Sequence, residues 1–263
     1  MMSLSVGTAL QDGWTTFRRT PWTFVFFVLF AFVLSTVVDL LPGVAGYIVS
    51  TLVDLWATVG LIRGAWLGLN RERPSFGDLI RIDAPAIWRL FSRQFLLTVL
   101  LGLISTTAAI LALTAADAGE LAQSIYSQMQ GIDASNPELI NGLITEIQGL
   151  ALAIVTSPVA ILVLLVGAVI AIYIQVNQMF LGFLAVVKGL GPIATLREGF
   201  RTVQTQWWTV FGLLVMQLVI LLIGLIAFGF GLLAALPVVI CSTASAYRQL
   251  FGVDDSAEVL TGG

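Results

Sequence analysis

The chain contains no histidine, which removes the commonest general base and the commonest metal ligand from its chemistry. It has a single cysteine, Cys241, so neither an internal disulfide nor a multi-cysteine metal site can form. Charge is scarce as well: only 10% of the 263 residues are Asp, Glu, Lys or Arg, against about 25% in a soluble domain. Water cannot be the main solvent of such a surface. The 12 basic residues are not massed into one patch and the net charge is −3, so nucleic acid is not an expected partner. There is no GxSxG elbow, Walker loop or HExxH. Gly189-Leu190-Gly191-Pro192 reads as a turn and not as a phosphate cradle. These absences predict no cofactor, no metal and no catalytic residue.

What abounds is apolar sequence, 58% of the chain. It falls into runs at residues 22–41, 48–69, 95–113, 155–187, 210–228 and 232–246. Several reach the ~20 residues that a helix needs to cross ~30 Å of hydrocarbon. The runs are continuous, whereas barrel strands alternate apolar and polar residues. The first continues well past the apolar core of a signal peptide and lacks a small-x-small cleavage site.

The basic residues partition cleanly. Arg18 and Arg19 precede the first run; Arg63, Arg71, Arg73, Arg81, Arg89 and Arg93 lie between the bodies of the second and third. Lys188, Arg197 and Arg201 lie between the fourth and fifth, and Arg248 follows the sixth. The alternate connections, 41–46, 114–150 and 227–231, hold none. Short connections rich in Lys and Arg stay cytoplasmic, so six spans with both termini inside a cell (inner) membrane are expected. The fourth run is too long for one straight crossing, which tilt or a start near Pro158 would absorb.

An internal likeness adds to this. Thr8-Ala9-Leu10-Gln11-Asp12-Gly13-Trp14 resembles Ala194-Thr195-Leu196-Arg197-Glu198-Gly199-Phe200, and in register Trp22-Thr23 falls on Trp208-Thr209. A fainter copy begins at Phe76, where Asp78, Ile80 and Trp88 keep the spacing. Val6, Leu10, Trp14 and Phe17, and likewise Ile193, Leu196, Phe200 and Val203, recur at helical spacing opposite charged residues. That pattern suits helices lying along the membrane interface, with Trp14, Trp22, Trp88 and Trp208 as anchors. The predicted fold is all-α: a polytopic membrane bundle of six spans, built as three parallel repeats of interfacial amphipathic helix plus transmembrane hairpin. It forms one domain over residues 1–251, with repeats near 3–70, 75–188 and 192–250 and a short cytoplasmic tail at 252–263.

The middle hairpin carries an extramembrane acidic insertion, 115–150, with Asp117, Glu120, Asp133, Glu138 and Glu146. Leu121, Ile125 and Met129, then Ile140, Leu143 and Ile147, predict two helices divided at Asn136-Pro137. They read either as a cap over the spans or as loose extensions of them.

Asp54 stands near the middle of the second run, where a carboxylate costs ~2.5–3.5 kcal/mol and usually faces a partner or cavity. Ser50, Thr51 and Thr58 share its helical face. The group is a candidate proton or cation site, or a structural one bonded to a neighbouring helix such as that of Gln175, Asn177, Gln178 or Gln217. Arg63, nine residues on, points the other way and is close enough to the inner surface to snorkel. Gly60, Gly64 and Gly68 form a small-xxx-small ridge for close helix packing.

The segment Thr195-Leu196-Arg197-Glu198-Gly199-Phe200, then Trp207-Trp208, Pro237 and Tyr247, resembles poorly characterised six-span bacterial and archaeal membrane proteins. These are related to the membrane domain that precedes some glycerophosphodiester phosphodiesterases. The resemblance implies the fold and a non-catalytic role; no catalytic residue carries over. Two functions follow as expectations. One is a non-enzymatic scaffold that organises membrane lipids, a protein partner or further copies of itself. The other is a small-solute or ion transporter using Asp54. A continuous wet path at Asp54 favours transport, and a dry bundle favours the scaffold.

Overall fold

The structure is a computed structural model that describes residues 4–130, 136–227 and 229–252. The tail beyond Gly252 and Asp133 of the insertion lie outside the described residues. The protein is all-helical, 86% helix with no strand among the described residues.

The elements run α1 Val6–Arg19, α2 Pro21–Val38, α3 Gly43–Leu69, α4 Phe76–Ile80, α5 Ala84–Ala115 and α6 Gly119–Gln130. They continue as α7 Pro137–Thr156, α8 Pro158–Asn177, α9 Leu181–Val186, α10 Pro192–Val203, α11 Trp207–Ile226 and α12 Leu232–Phe251. Breaks occur where sequence chemistry puts them. Pro stands in the first turn of α2, α7 and α10, where its missing N–H costs nothing. Gly43, at φ +74°, lets the chain turn from α2 into α3. The long fourth run divides: α8 starts at Pro158 and ends at Asn177, and α9 follows as a separate short helix. The insertion folds as two helices, α6 and α7, with Asn136 capping α7 through Glu138 N at 3.0 Å.

Six helical stretches are long and apolar enough to cross a membrane: Pro21–Val38, Gly43–Leu69, Ala84–Ala115, Glu138–Thr156, Pro158–Asn177 and Pro192–Ile226. The number agrees with the sequence, but the set does not. Glu138–Thr156 lies in the insertion expected outside the membrane. Leu232–Phe251, expected as the sixth span, is not in the set because Ser242, Thr243, Ser245, Arg248 and Gln249 dilute its second half. Those small polar residues do a different job, since Ser242, Thr243 and Ser245 are buried.

The chain divides into two compact units, Met1–Leu96 with Val176–Gly263, and Leu97–Gln175. In the first, the core gathers at one end. Residues 62–68 of α3, 183–187 around α9 and 241–247 of α12 are buried on all sides. Trp66, Phe180, Phe183 and Tyr247 fill it; Tyr247 stacks on Phe183 at 5.5 Å and meets Trp66 edge-on at 5.8 Å. α12 packs against α1, α2, α3 and α11 and is the hub of this unit.

α1 meets α12 through small residues. Its buried positions are Ala9, Gly13, Thr16 and Phe17, and a Cβ on Gly13 would come within 2.6 Å of Ser242 N. Of the expected apolar row Val6, Leu10, Trp14 and Phe17, only Phe17 is buried, and Trp14 is exposed. α10 behaves alike: Thr195, Gly199 and Val203 are buried while Ile193 is exposed. A helix in contact with lipid does not need its large apolar side chains inside, and the closest helix approaches go to its smallest residues.

In the second unit α6 lies against α7, with Gln128 Nε2 donating to Glu146 Oε1 at 2.6 Å. Ser157, between α7 and α8, donates to the carbonyl of Ala115 at 3.1 Å. The α6–α7 hairpin therefore leaves and rejoins the α5–α8 pair at the same end.

Candidate functional site

Asp54 is exposed and belongs to a crossed pair of hydrogen bonds between α2 and α3. Ser35 Oγ donates to Asp54 Oδ1 at 3.0 Å, and Ser50 Oγ donates to Asp39 Oδ1 at 2.8 Å. Each helix supplies one serine and one aspartate, four residues apart, and antiparallel pairing matches them. Thr51 and Thr58 donate instead to backbone carbonyls of their own helix, at Tyr47 and Asp54. The expected stripe is therefore not one ligand set. Ser35 lies three residues before the end of α2, within about 5 Å of that end along the axis. Asp54, level with it, sits nearer the turn between α2 and α3 than the middle of the hairpin. That depth comes from the pairing of the two helices, which a single helical run cannot reveal.

The other polar candidates serve elsewhere. Gln217 Nε2 donates to Thr243 Oγ1 at 3.0 Å, joining α11 to α12, and Gln178 Nε2 donates to Leu196 O at 3.1 Å. Asn177 is wholly buried and Gln175 is exposed. None of the four is a partner of Asp54.

The glycine ridge of α3 packs three elements. A Cβ on Gly60 would strike the Leu79 carbonyl and sit 2.7 Å from Phe27; on Gly64 it would meet Phe24 at 3.1 Å, and on Gly68 Thr16 at 2.5 Å. α4 and α2 thus share the turns at Gly60 and Gly64, and α1 takes the turn at Gly68. Of the interfacial candidates, Trp22, Trp88 and Trp208 are exposed by 68%, 67% and 78%, and Trp14 by 49%. Trp22 and Trp208 fall just after helix breaks at Thr20 and Gln206. Trp88 does not, because α4 is only five residues long and α5 begins four residues before Trp88.

Arg63 does not snorkel. It is 4% exposed, pairs with Asp83 at 3.0 Å and donates to the Arg81 carbonyl at 3.0 Å. It ties α3 to the segment between α4 and α5. Arg93 is also buried: Nε donates to Thr195 Oγ1 at 2.8 Å, while Nη1 has no partner among the described residues. Its position in the basic count gave no sign of burial; only the apolar stretch directly after it, 95–113, hinted at a membrane-facing helix.

Between α2, α3, α4 and α5 lies an apolar groove of about 1190 Å³. Phe30, Trp56, Phe76, Trp88 and Phe91 are among its walls. Two of its few polar side chains are bonded within the protein: Trp56 Nε1 donates to the Ile80 carbonyl and Thr51 Oγ1 to that of Tyr47. Asp54 is not among its lining residues.

No family model matches this chain, and no curated protein or solved structure is similar to it. The residues behind the resemblance noted above have structural surroundings: Pro237 and Tyr247 are buried within α12, and Trp207 stacks on Phe211 at 5.2 Å.

Proposed function

We propose that this protein is a non-catalytic membrane scaffold that organises lipid by seating acyl chains in the groove between α2 and α5. The groove itself carries the reading. A site for a polar solute places a few convergent polar groups among its apolar walls. Here the walls are almost wholly apolar, and the Trp56 indole N–H and the Thr51 hydroxyl are already bonded within the protein, so a hydrocarbon chain is the occupant they suit. α2, α3 and α5 are among the helices able to cross a membrane, which puts such chains alongside. The transport reading has no comparable support, because Asp54 does not line the groove and is bonded across its own hairpin.

The repeat and the topology belong to this proposal. Thr20 and Gln206, 186 residues apart, share a break in the backbone (φ −141°, ψ 58°; φ −133°, ψ 31°) directly before a span. Gly13, Leu79 and Gly199 hold one register position in the three copies and all are buried; so are Phe24, Leu90 and Val210, and Phe27, Arg93 and Leu213. For the topology, α12 crosses and α7 remains outside with α6. If α7 crossed instead, Lys188, Arg197 and Arg201 would move to the outer side, against the rule for basic residues. If α6 crossed as well, which would restore the sides, a helix about 18 Å long would have to span ~30 Å of hydrocarbon.

Leu52 lines the groove and is exposed there; Leu52→Trp fills it without touching the core. Purified protein, washed with fresh detergent and weighed by native mass spectrometry, retains phospholipid, and Leu52→Trp retains at least several-fold less. Equal lipid retention by a folded Leu52→Trp protein would overturn the reading.

A further inference from the structure

A second cavity, of about 550 Å³, opens at the other end of α3. Asp12, Thr15, Thr16 and Arg19 of α1, Leu69 and Arg71 at the end of α3, and Ser245, Arg248 and Gln249 of α12 line it. Three arginines therefore line the cavity with a single acidic residue. Among the described residues, none of Arg19, Arg71 and Arg248 has a carboxylate oxygen within 4.0 Å. The one acid, Asp12, is engaged by Ser245, whose Oγ donates to it at 2.8 Å.

Two of the arginines are held at their side chains and the third at its backbone. Arg19 Nη1 reaches the Gly68 carbonyl at 3.4 Å, and the Arg248 guanidinium lies over the Trp66 ring, 5.6 Å from its centre. Arg71 is fixed by its backbone. Its N–H bonds to Gly68 O, and Glu72 N–H to Leu67 O, both at 3.2 Å. That is the Schellman end of a helix, whose left-handed position normally takes glycine; Arg71 occupies it at φ +65°. Gln249 adds a buried Nε2 without an acceptor among the described residues, while its Oε1 accepts from Ser5 N at 2.8 Å.

Positive charge at a helix C-terminus is favourable in itself, and that accounts for one cation at each helix end. It accounts neither for an open cavity between the three nor for an arginine in a glycine position. Planar guanidiniums converging on one space match the oxygens of a phosphate. We propose that this basin binds a phosphate group, supplied by a lipid headgroup or by a free phosphate ester. The site is separate from the apolar groove and does not depend on it.

Arg71→Gly tests this cleanly, because glycine relieves the backbone while deleting one cation; the fold is kept or improved. Binding to the full chain in detergent is measured with three probes: dioctanoyl phosphatidylglycerol, inorganic phosphate, and dioctanoylglycerol, which lacks the phosphate. The phospholipid binds more tightly than dioctanoylglycerol, and Arg71→Gly or Arg248→Gln weakens it about tenfold, more at low salt than at high. If inorganic phosphate binds and shows the same loss, the basin takes free phosphate; if only the phospholipid does, the source is a headgroup. Equal binding of the phospholipid and dioctanoylglycerol overturns the proposal. So does a phospholipid affinity that both substitutions leave unchanged in folded protein.

Discussion

The absence of a side chain at position 13 sets the distance between α1 and α12. A methyl group there would press on the backbone of Ser242, 2.6 Å from its nitrogen and 2.7 Å from its Cα. No rotamer relieves this, so one of the helices must shift, and overpacking of this kind costs about 1–3 kcal/mol. Gly7, in the same helix, would meet nothing within 4 Å, and alanine there gains up to about 1 kcal/mol of helix propensity. Gly13→Ala is expected to lower the melting temperature in detergent, followed by tryptophan fluorescence, while Gly7→Ala keeps or raises it. An equal response to both would refute the seam. The sequence displayed Gly13 and its counterpart Gly199, but the eye goes to Leu10 and Trp14 at helical spacing. Apolar periodicity locates the dry face of a helix in water. In lipid it does not, and the small residues become the better guide.

At the scale of elements, α4 is the smallest and among the most constrained. Five residues cannot hold a helix alone. Ser75 and Asp78 close a capping box, with Ser75 N–H and Oγ–H both donating to Asp78 Oδ2 at 2.8 and 2.7 Å. Leu79 then plugs wholly buried into the ridge at Gly60 and Gly64. The hydrogen bonds from Ser75 hold the Asp78 carboxyl below the usual carboxylate range. Its folded pKa lies beneath its unfolded one, so its contribution is complete above about pH 4 and fades as pH falls through the folded value. Asp78→Asn should therefore destabilise the protein at pH 7 and differ less from the unaltered chain at pH 3, in paired thermal melts. A gap of the same size at both would show that the charge has no part. The two insertion helices and the break at Pro158 were legible, because proline and asparagine act locally. The short length of α4, the burial of Arg63 and Arg93 and the depth of Asp54 were not, since each depends on a neighbouring helix.

On the scale of the whole molecule, the number of apolar stretches was readable while the identity of the sixth was not. Hydropathy weighs α7 and α12 by composition alone, and the small polar residues of α12 count against it although they are buried in helix contacts. In the proposed arrangement it is the placement of the basic residues that separates them. With α12 across the membrane and the α6–α7 hairpin outside, cysteines at Asn136 and Phe230 should react in intact cells with an impermeant maleimide, and one at Arg73 should not. All three positions are exposed, whereas the native Cys241 is buried and gives little background. Labelling of Arg73→Cys from outside would reject the arrangement.

The dependence of α1 on α12 also sets an order of events during synthesis. The first helix leaves the ribosome more than 200 residues before the one carrying Ser242, its contact for Gly13. Until then its narrow seam has nothing to close on. In the proposed arrangement Leu10 and Trp14, turned aside from the finished core, would give the waiting helix a foothold on the bilayer surface. The contacts that α12 makes with α1, α2, α3 and α11 thus close only after those helices have been made.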